Sequence, residues 1–322
     1  MRFSAYNLIV CLSALGIAVG SWGCAGRNKT TPQEDAFKEY RKMMERQKAA
    51  SAIEEEKATK KVPEMTADGY ERLGDEYLSQ GNVDVAFVQY EKALRLDPGQ
   101  ARIRYKMGRL FLEKGLYQEA KGEFQEILKG NPGYALAYDG LGRICFSQRD
   151  YPQAEKNFQE ALKLEPGLWQ AHNFLGIIYD RQKQFEAAVK QYTLAISIQP
   201  NTSALFNNLG MSLFLKGDYE KAVRAFNEAL KIEAADAKVY NNLALALWKL
   251  GKHQEALEAF KKGTDEGTAY NNLGCLYMTE GKYKEATQAF EKAIEVNPGF
   301  YVSAYENMKK AKEAANSKSY GN

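Results

Sequence analysis

The chain has 322 residues, enough for one compact domain or more than one. Its apolar content of 45% is ordinary for a folded soluble protein, and 44 basic against 41 acidic residues leave a net charge of +3, which gives no electrostatic reason to expect a nucleic-acid partner. Two histidines, His172 and His253, and four cysteines, Cys11, Cys24, Cys145 and Cys275, with no CxxC pair, leave zinc and thioredoxin-like readings without support and offer few groups for acid–base work.

Residues 3–26 carry no charge, and Arg2 precedes them. The strongly apolar part, LIVCLSALGIAV at 8–19, has the length of a signal-peptide core rather than of a full membrane span. Because the uncharged run extends on both sides, an N-terminal membrane anchor stays open. The run ends in SWGCAG, with Cys24 directly after Gly23. This resembles a bacterial lipoprotein signal, in which small residues precede a cysteine that is lipidated and becomes the first residue. The chain departs from that pattern at Ser21, where leucine is usual, and at the bulky Trp22. The resemblance implies a signal peptide over 1–23, lipidation of Cys24, and a membrane held as partner through several acyl chains, each buried CH₂ contributing about 0.8 kcal/mol. Ala25 in place of aspartate implies, in the enterobacterial sorting pattern, the outer membrane facing the periplasm. Cleavage after Ala25 would instead give a soluble periplasmic protein.

Residues 24–66 read as a lipid-anchored, charged spacer. KEYRKMMERQK at 38–48 and EEEKATKK at 54–61 alternate opposite charges. Phe37, Tyr40, Met43 and Met44 have the spacing of a short amphipathic helix. The remainder is a solvated helix or a flexible tether, and a partner-binding helix is the other reading. Fully helical, residues 33–60 would span about 42 Å.

From residue 67 the chain repeats itself. Pro98, Pro132, Pro166 and Pro200 stand 34 residues apart, and Pro298 follows out of phase. Leu73-Gly74, Met107-Gly108, Leu141-Gly142, Leu175-Gly176, Leu209-Gly210, Leu243-Ala244 and Leu273-Gly274 keep the same register. So do Ala86, Ala120, Ala154, Ala188, Ala222, Ala256 and Ala286, and the aromatic series Tyr90, Phe124, Phe158, Tyr192, Phe226, Phe260 and Phe290. These four ladders resemble the tetratricopeptide repeat family. The resemblance covers residues 67–300 in seven units that begin at 67, 101, 135, 169, 203, 237 and 267. It implies an all-α, right-handed superhelical solenoid of antiparallel helix pairs, closed by a C-terminal cap helix and tail at 301–322.

Within a unit counted from position 1, positions 4, 7, 8 and 11 share one face of the first helix. The small residue at position 8 is expected to meet the one at position 20, and the aromatic at position 24 to fill the space beside the next unit. Gly81, Gly115, Gly217, Gly251 and Gly281 should end the first helices, and proline at position 32 the second. The fifth unit has Ala234 in the proline slot, and the sixth is four residues short and carries Gly263 where alanine is usual. A local change of curvature is expected there, with the stack unbroken.

The other face of the first helix carries positions 2, 5, 6, 9, 12 and 13. In the family it lines the concave groove, where peptides usually bind. Position 9 runs Asp75, Arg109, Arg143, Ile177, Met211, Leu245, Cys275; position 12 runs Leu78, Leu112, Phe146, Asp180, Phe214, Trp248, Met278. Asparagines accumulate beside them: Asn173, Asn207, Asn241 and Asn271 at position 5, and Asn208, Asn242 and Asn272 at position 6. Three such pairs inside helices cost roughly 4 kcal/mol in propensity. An amide offers both donor and acceptor, so the row could hold an extended peptide backbone. The position-6 residues resemble the ladder of O-linked N-acetylglucosamine transferase and kinesin light chain, which holds peptide backbone. On this reading the peptide-binding groove comprises Asn173, Asn207, Asn208, Met211, Phe214, Asn241, Asn242, Leu245, Trp248, Asn271 and Asn272, and Asn242→Ala should weaken binding without lowering the melting temperature. The alternative is that the asparagines bond one another between helices and the apolar residues only pack.

His172 and His253 take structural slots, and no nucleophile elbow, phosphate loop or metal-ligand cluster occurs. No cofactor and no metal is expected, and the chain reads as non-enzymatic. Three functions fit: an envelope scaffold that binds peptide segments of a protein partner to assemble a larger complex, an accessory subunit of a glycosyltransferase system, or a self-associating structural stack.

Overall fold

The computed structural model describes residues 65–297, 299 and 301–319. The signal-like segment, Cys24, the spacer up to residue 64 with its Phe37 to Met44 stripe, and Pro298 lie outside the described residues.

Fifteen helices and no strand occur among the described residues. First and second helices alternate: α1 (Ala67–Ser79) and α2 (Val83–Leu96), α3 (Ala101–Glu113) and α4 (Tyr117–Gly130), α5 (Ala135–Ser147) and α6 (Tyr151–Leu164), α7 (Trp169–Arg181) and α8 (Phe185–Ile198). They continue as α9 (Ser203–Lys216) and α10 (Tyr219–Ile232), α11 (Ala237–Lys249) and α12 (His253–Gly263), α13 (Glu266–Thr279) and α14 (Tyr283–Val296), then a final helix, α15 (Tyr301–Ser319). The chain divides into two compact units, one ending at Lys106 and the other beginning at Met107, inside α3.

Each first helix ends on a residue in the left-handed region. Gly81, Gly115, Gly217, Gly251 and Gly281 take φ between 70° and 96°, as their sequence positions predict. In the third and fourth repeats Arg149 (φ 64°) and Lys183 (φ 59°) do the same job without glycine. The next residue closes a Schellman turn in both: Asp150 N–H donates to the Cys145 carbonyl at 2.9 Å and Gln184 N–H to that of Tyr179 at 2.8 Å.

Proline is not required to stop a second helix. α10 ends at Ile232 although Ala234 fills the proline slot. Its following residue, Glu233, takes the same extended backbone (φ −132°, ψ 89°) as Asp97, Asn131 and Glu165 before the prolines. The chain must turn there to lay the next first helix on the stack, and proline is compatible with that turn without imposing it.

The core adds one contact to those expected. The atoms nearest the position-8 glycine belong to the position-24 ring of its own unit. A Cβ built on Gly74, Gly108, Gly142, Gly176, Gly210 or Gly274 would lie 2.5–2.7 Å from a ring atom of Tyr90, Phe124, Phe158, Tyr192, Phe226 or Phe290 respectively. Only glycine lets the helices close to that distance over an unmoved ring. The Phe124 ring is also met from the next repeat, where a Cβ on Gly140 would come within 2.4 Å of it. The seven rings are at most 1% exposed, and burying one contributes about 1.5–3 kcal/mol.

α12 has 11 residues against 14 in the other second helices. The core runs through it without a break, from Leu213 and Phe226 through Leu247, Phe260 and Ala269 to Ala289. Gly263 ends α12 hard against the start of α11: a Cβ there would be 2.9 Å from Tyr240 Cβ and 3.0 Å from the Ala237 carbonyl oxygen. α15 packs down through Ala304 and Ala311, both 0% exposed.

Candidate functional site

In the unit ending at Lys106, the corresponding face is ionic. Glu71, only 3% exposed, is held by Arg102 and by Lys106, whose Nζ donates to Glu71 Oε1 at 2.5 Å and to Asp75 at 2.7 Å. The Tyr90 hydroxyl also donates to Asp75, at 2.7 Å. Burial pushes the Asp75 carboxyl up, but the hydrogen bonds from Lys106 and Tyr90 and the charges of Lys106 and Arg102 outweigh it and hold it below the usual range.

In the unit from Met107 onward, Asp139 is buried beside Arg143, Oδ2 to Nε 2.7 Å. Burial pushes its carboxyl above the usual range, and Arg143 and Arg109 offset only part of that. The Arg143 guanidinium lies over the Phe174 ring at 5.5 Å.

C-terminal to this pair the asparagines form a row with one rule. In the fifth and sixth repeats the position-6 amide donates to the position-5 carbonyl of the repeat before. Asn208 Nδ2 donates to Asn173 Oδ1 at 3.0 Å, and Asn242 Nδ2 to Asn207 Oδ1 at 2.8 Å. At the far end, Asn307 of the cap helix donates to Asn271 Oδ1 at 3.0 Å. The Lys106–Glu71 bond fills the same pair of positions between the first and second repeats with an ion pair.

The rung between the sixth and seventh repeats is missing. Asn241 Oδ1 and Asn272 Nδ2, the acceptor and donor that would make it, are both buried with no hydrogen-bond partner. The shortened repeat accounts for this: intact rungs join residues 35 apart, whereas Asn241 and Asn272 are separated by 31. Gly263 closes on Asn241 instead, at 3.3 Å from its Oδ1 to a Cβ built on the glycine.

The expected open groove is therefore partly closed. Asn207, Asn242, Asn271 and Asn272 are 1–5% exposed because neighbouring first helices meet on them. Trp248, 2% exposed, lies tilted against His253 with ring centroids 4.0 Å apart and donates its Nε1–H to Glu280 Oε1 at 2.6 Å. Phe214 leans on Tyr219 of its own repeat at 5.5 Å. Asn173, Asn208, Met211, Phe214, Asn241 and Leu245 remain half-buried at the surface. Sequence reasoning missed Asn307 and Glu280. Asn307 lies 36 residues after Asn271, close enough to the spacing of the row to be found by it.

His172 is 8% exposed, its Nδ1 2.7 Å from Gln191 Oε1 and its Nε2 3.2 Å from the Pro166 carbonyl, a packed ring with both nitrogens occupied. Among the described residues no group of three or more His, Cys, Asp or Glu side chains could hold a metal, and no helix is long and apolar enough to cross a membrane.

The family model described as the cilia and flagella-associated protein 70 C-terminal domain matches residues 30–272, and the tetratricopeptide repeat model matches residues 268–300. No curated protein matches the chain. Among solved structures, a tetratricopeptide repeat protein from Parabacteroides merdae is similar with a TM-score of 0.50 at 16% identity, over 76% of this chain and 98% of that one. MamA gives a TM-score of 0.43 at 28% identity, over 50% and 94%. YrrB, described as having an unusual peptide-binding site, gives 0.49 at 18%, over 63% and 97%.

Proposed function

The chain belongs to the tetratricopeptide repeat family, in the group defined by the cilia and flagella-associated protein 70 C-terminal domain, and from that premise we propose that it is a non-catalytic scaffold of the bacterial cell envelope. It is exported, anchored through a lipidated Cys24 with the outer membrane as its site, and holds an extended segment of a protein partner against the first-helix face to assemble a larger complex.

The missing rung carries this reading. Leaving a buried donor and a buried acceptor without partners costs about 1–3 kcal/mol each. One peptide unit of an extended segment supplies the N–H that Asn241 Oδ1 lacks and the C=O that Asn272 Nδ2 lacks. Half-buried Met211, Phe214 and Leu245 nearby on the same face give its side chains apolar surface. Both amide atoms are closed to solvent, so entry requires α11 and α13 to part slightly.

Photo-methionine placed at Met211 and irradiated in native envelopes, followed by mass spectrometry, tests it. The expected result is a defined adduct that is lost in the Asn272→Leu variant. An adduct indifferent to Asn272, or none, contradicts the peptide site. The anchor is tested by the mass of the mature N-terminus: an acylated Cys24 is expected, and an intact Met1 rules processing out.

A further inference from the structure

A second feature created by the short repeat lies away from the asparagine row. Between α10 and α12 runs a groove of ≈ 630 Å³, lined by Arg224, Asn227, Glu228, Leu230, Lys231, Tyr240, Leu243 and Lys262. Its floor is apolar, with Leu243 buried and Leu230 and Tyr240 half-buried. The last turn of α10 carries Leu230 and Ile232; α12 stops at Gly263 before it reaches the equivalent residues. The cover that a full-length second helix would place beside Tyr240 is therefore absent.

The rim is basic and has little to do within the protein. Glu228 pairs with Lys231 at 2.6 Å. Arg224 and Lys262 have no ion-pair partner, and the Asn227 amide and Tyr240 hydroxyl no hydrogen bond, among the described residues. Two cations and two neutral polar groups thus stand uncommitted around an apolar strip of a volume that suits a few residues of peptide.

We propose that this groove is a docking site for an acidic peptide segment of a partner protein, one that alternates carboxylates with apolar side chains. The carboxylates pair with Arg224 and Lys262, whose N–H groups donate to them at the two walls. An apolar side chain covers Leu230 and Leu243. The commitment to an acidic occupant rests on charge: the rim holds three cations and one acid, and that acid is already neutralised by Lys231. The site is distinct from the first-helix face, so the scaffold would hold two segments at once.

Fluorescence anisotropy of the full chain with a fluorescein-labelled peptide of three Glu-Leu-Glu repeats tests the proposal. Saturable binding at low salt is expected, weakening as salt rises. Arg224→Gln with Lys262→Gln should weaken it about tenfold or more, a Lys-Leu-Lys peptide should not bind, and Leu245→Ala on the first-helix face should leave it unchanged. Equal binding to the double variant, loss of binding in Leu245→Ala, or no saturable binding overturns the proposal. Melting curves of each variant establish that it is folded. The Met211 adduct is read in a separate experiment, so either site can fail without the other.

Discussion

The Nδ2 of Asn242 donates to the Oδ1 of Asn207 at 2.8 Å, between residues that are each 5% exposed on adjacent first helices. A pair of asparagines that looked like an open ladder for a ligand is a rung between repeats. The expectation for Asn242→Ala changes with it. The substitution orphans the Asn207 carbonyl, so the melting temperature should fall, by the equivalent of about 1–3 kcal/mol. Replacing both residues by leucine should cost less than the sum of the two single changes, and a double-mutant cycle in urea measures the coupling.

A second pairing follows from the choice of ring at position 24. Tyrosine occurs there in two repeats, and each time a carboxylate takes its hydroxyl: Tyr90 donates to Asp75 at 2.7 Å and Tyr192 to Asp180 at 2.9 Å. The five phenylalanine repeats have no aspartate at positions 9 or 12. Tyr192→Phe should therefore destabilise by about 1–3 kcal/mol, since it strips Asp180 of a donor. Adding Asp180→Leu, which gives the repeat the pattern of its neighbours, should recover most of the loss in thermal melts.

Asp180 also sets a pH dependence. Burial pushes its carboxyl above the usual range, and the neighbouring hydroxyls of Ser212 and Tyr192 offset this only in part. With the folded value raised, its contribution to stability is fully present below the unfolded value of about 3.9 and is lost as pH rises through the folded one. Asp180→Asn keeps an acceptor for Tyr192 without the charge. It should melt higher than the parent chain at pH 7 and alike near pH 3; equal melting temperatures at both would contradict the assignment.

Lys183 ends α7 with φ 59°, a conformation that costs an L-residue with a side chain about 1–2 kcal/mol. Lys183→Gly should raise the denaturation midpoint, less what the more flexible unfolded chain gives back. The converse change at the matching turn, Gly217→Ala (φ 96°), should lower it.

How legible this protein is from its sequence differs between backbone and site. The helix hairpins were readable, because a buried ring at Phe226, a glycine facing it at Gly210 and a left-handed turn at Gly217 each demand a narrow set of residue types at a set distance along the chain. The contact made by that glycine was not, since spacing places residues on a face without saying which neighbour they meet. The asparagine row was visible as a pattern, and its position on the first helices followed from helical period alone.

Only tertiary packing decided what those amides do. Whether an asparagine serves a ligand or its neighbour depends on the separation of two helices far apart in sequence, and that is set by core side chains and by the length of each repeat. The four residues missing from the sixth repeat show the difference. The deletion is countable in the sequence, but its effects arise where helices are laid side by side: Asn241 and Asn272 lose their bond, α12 closes on Gly263, and Arg224 and Lys262 stand over an uncovered strip.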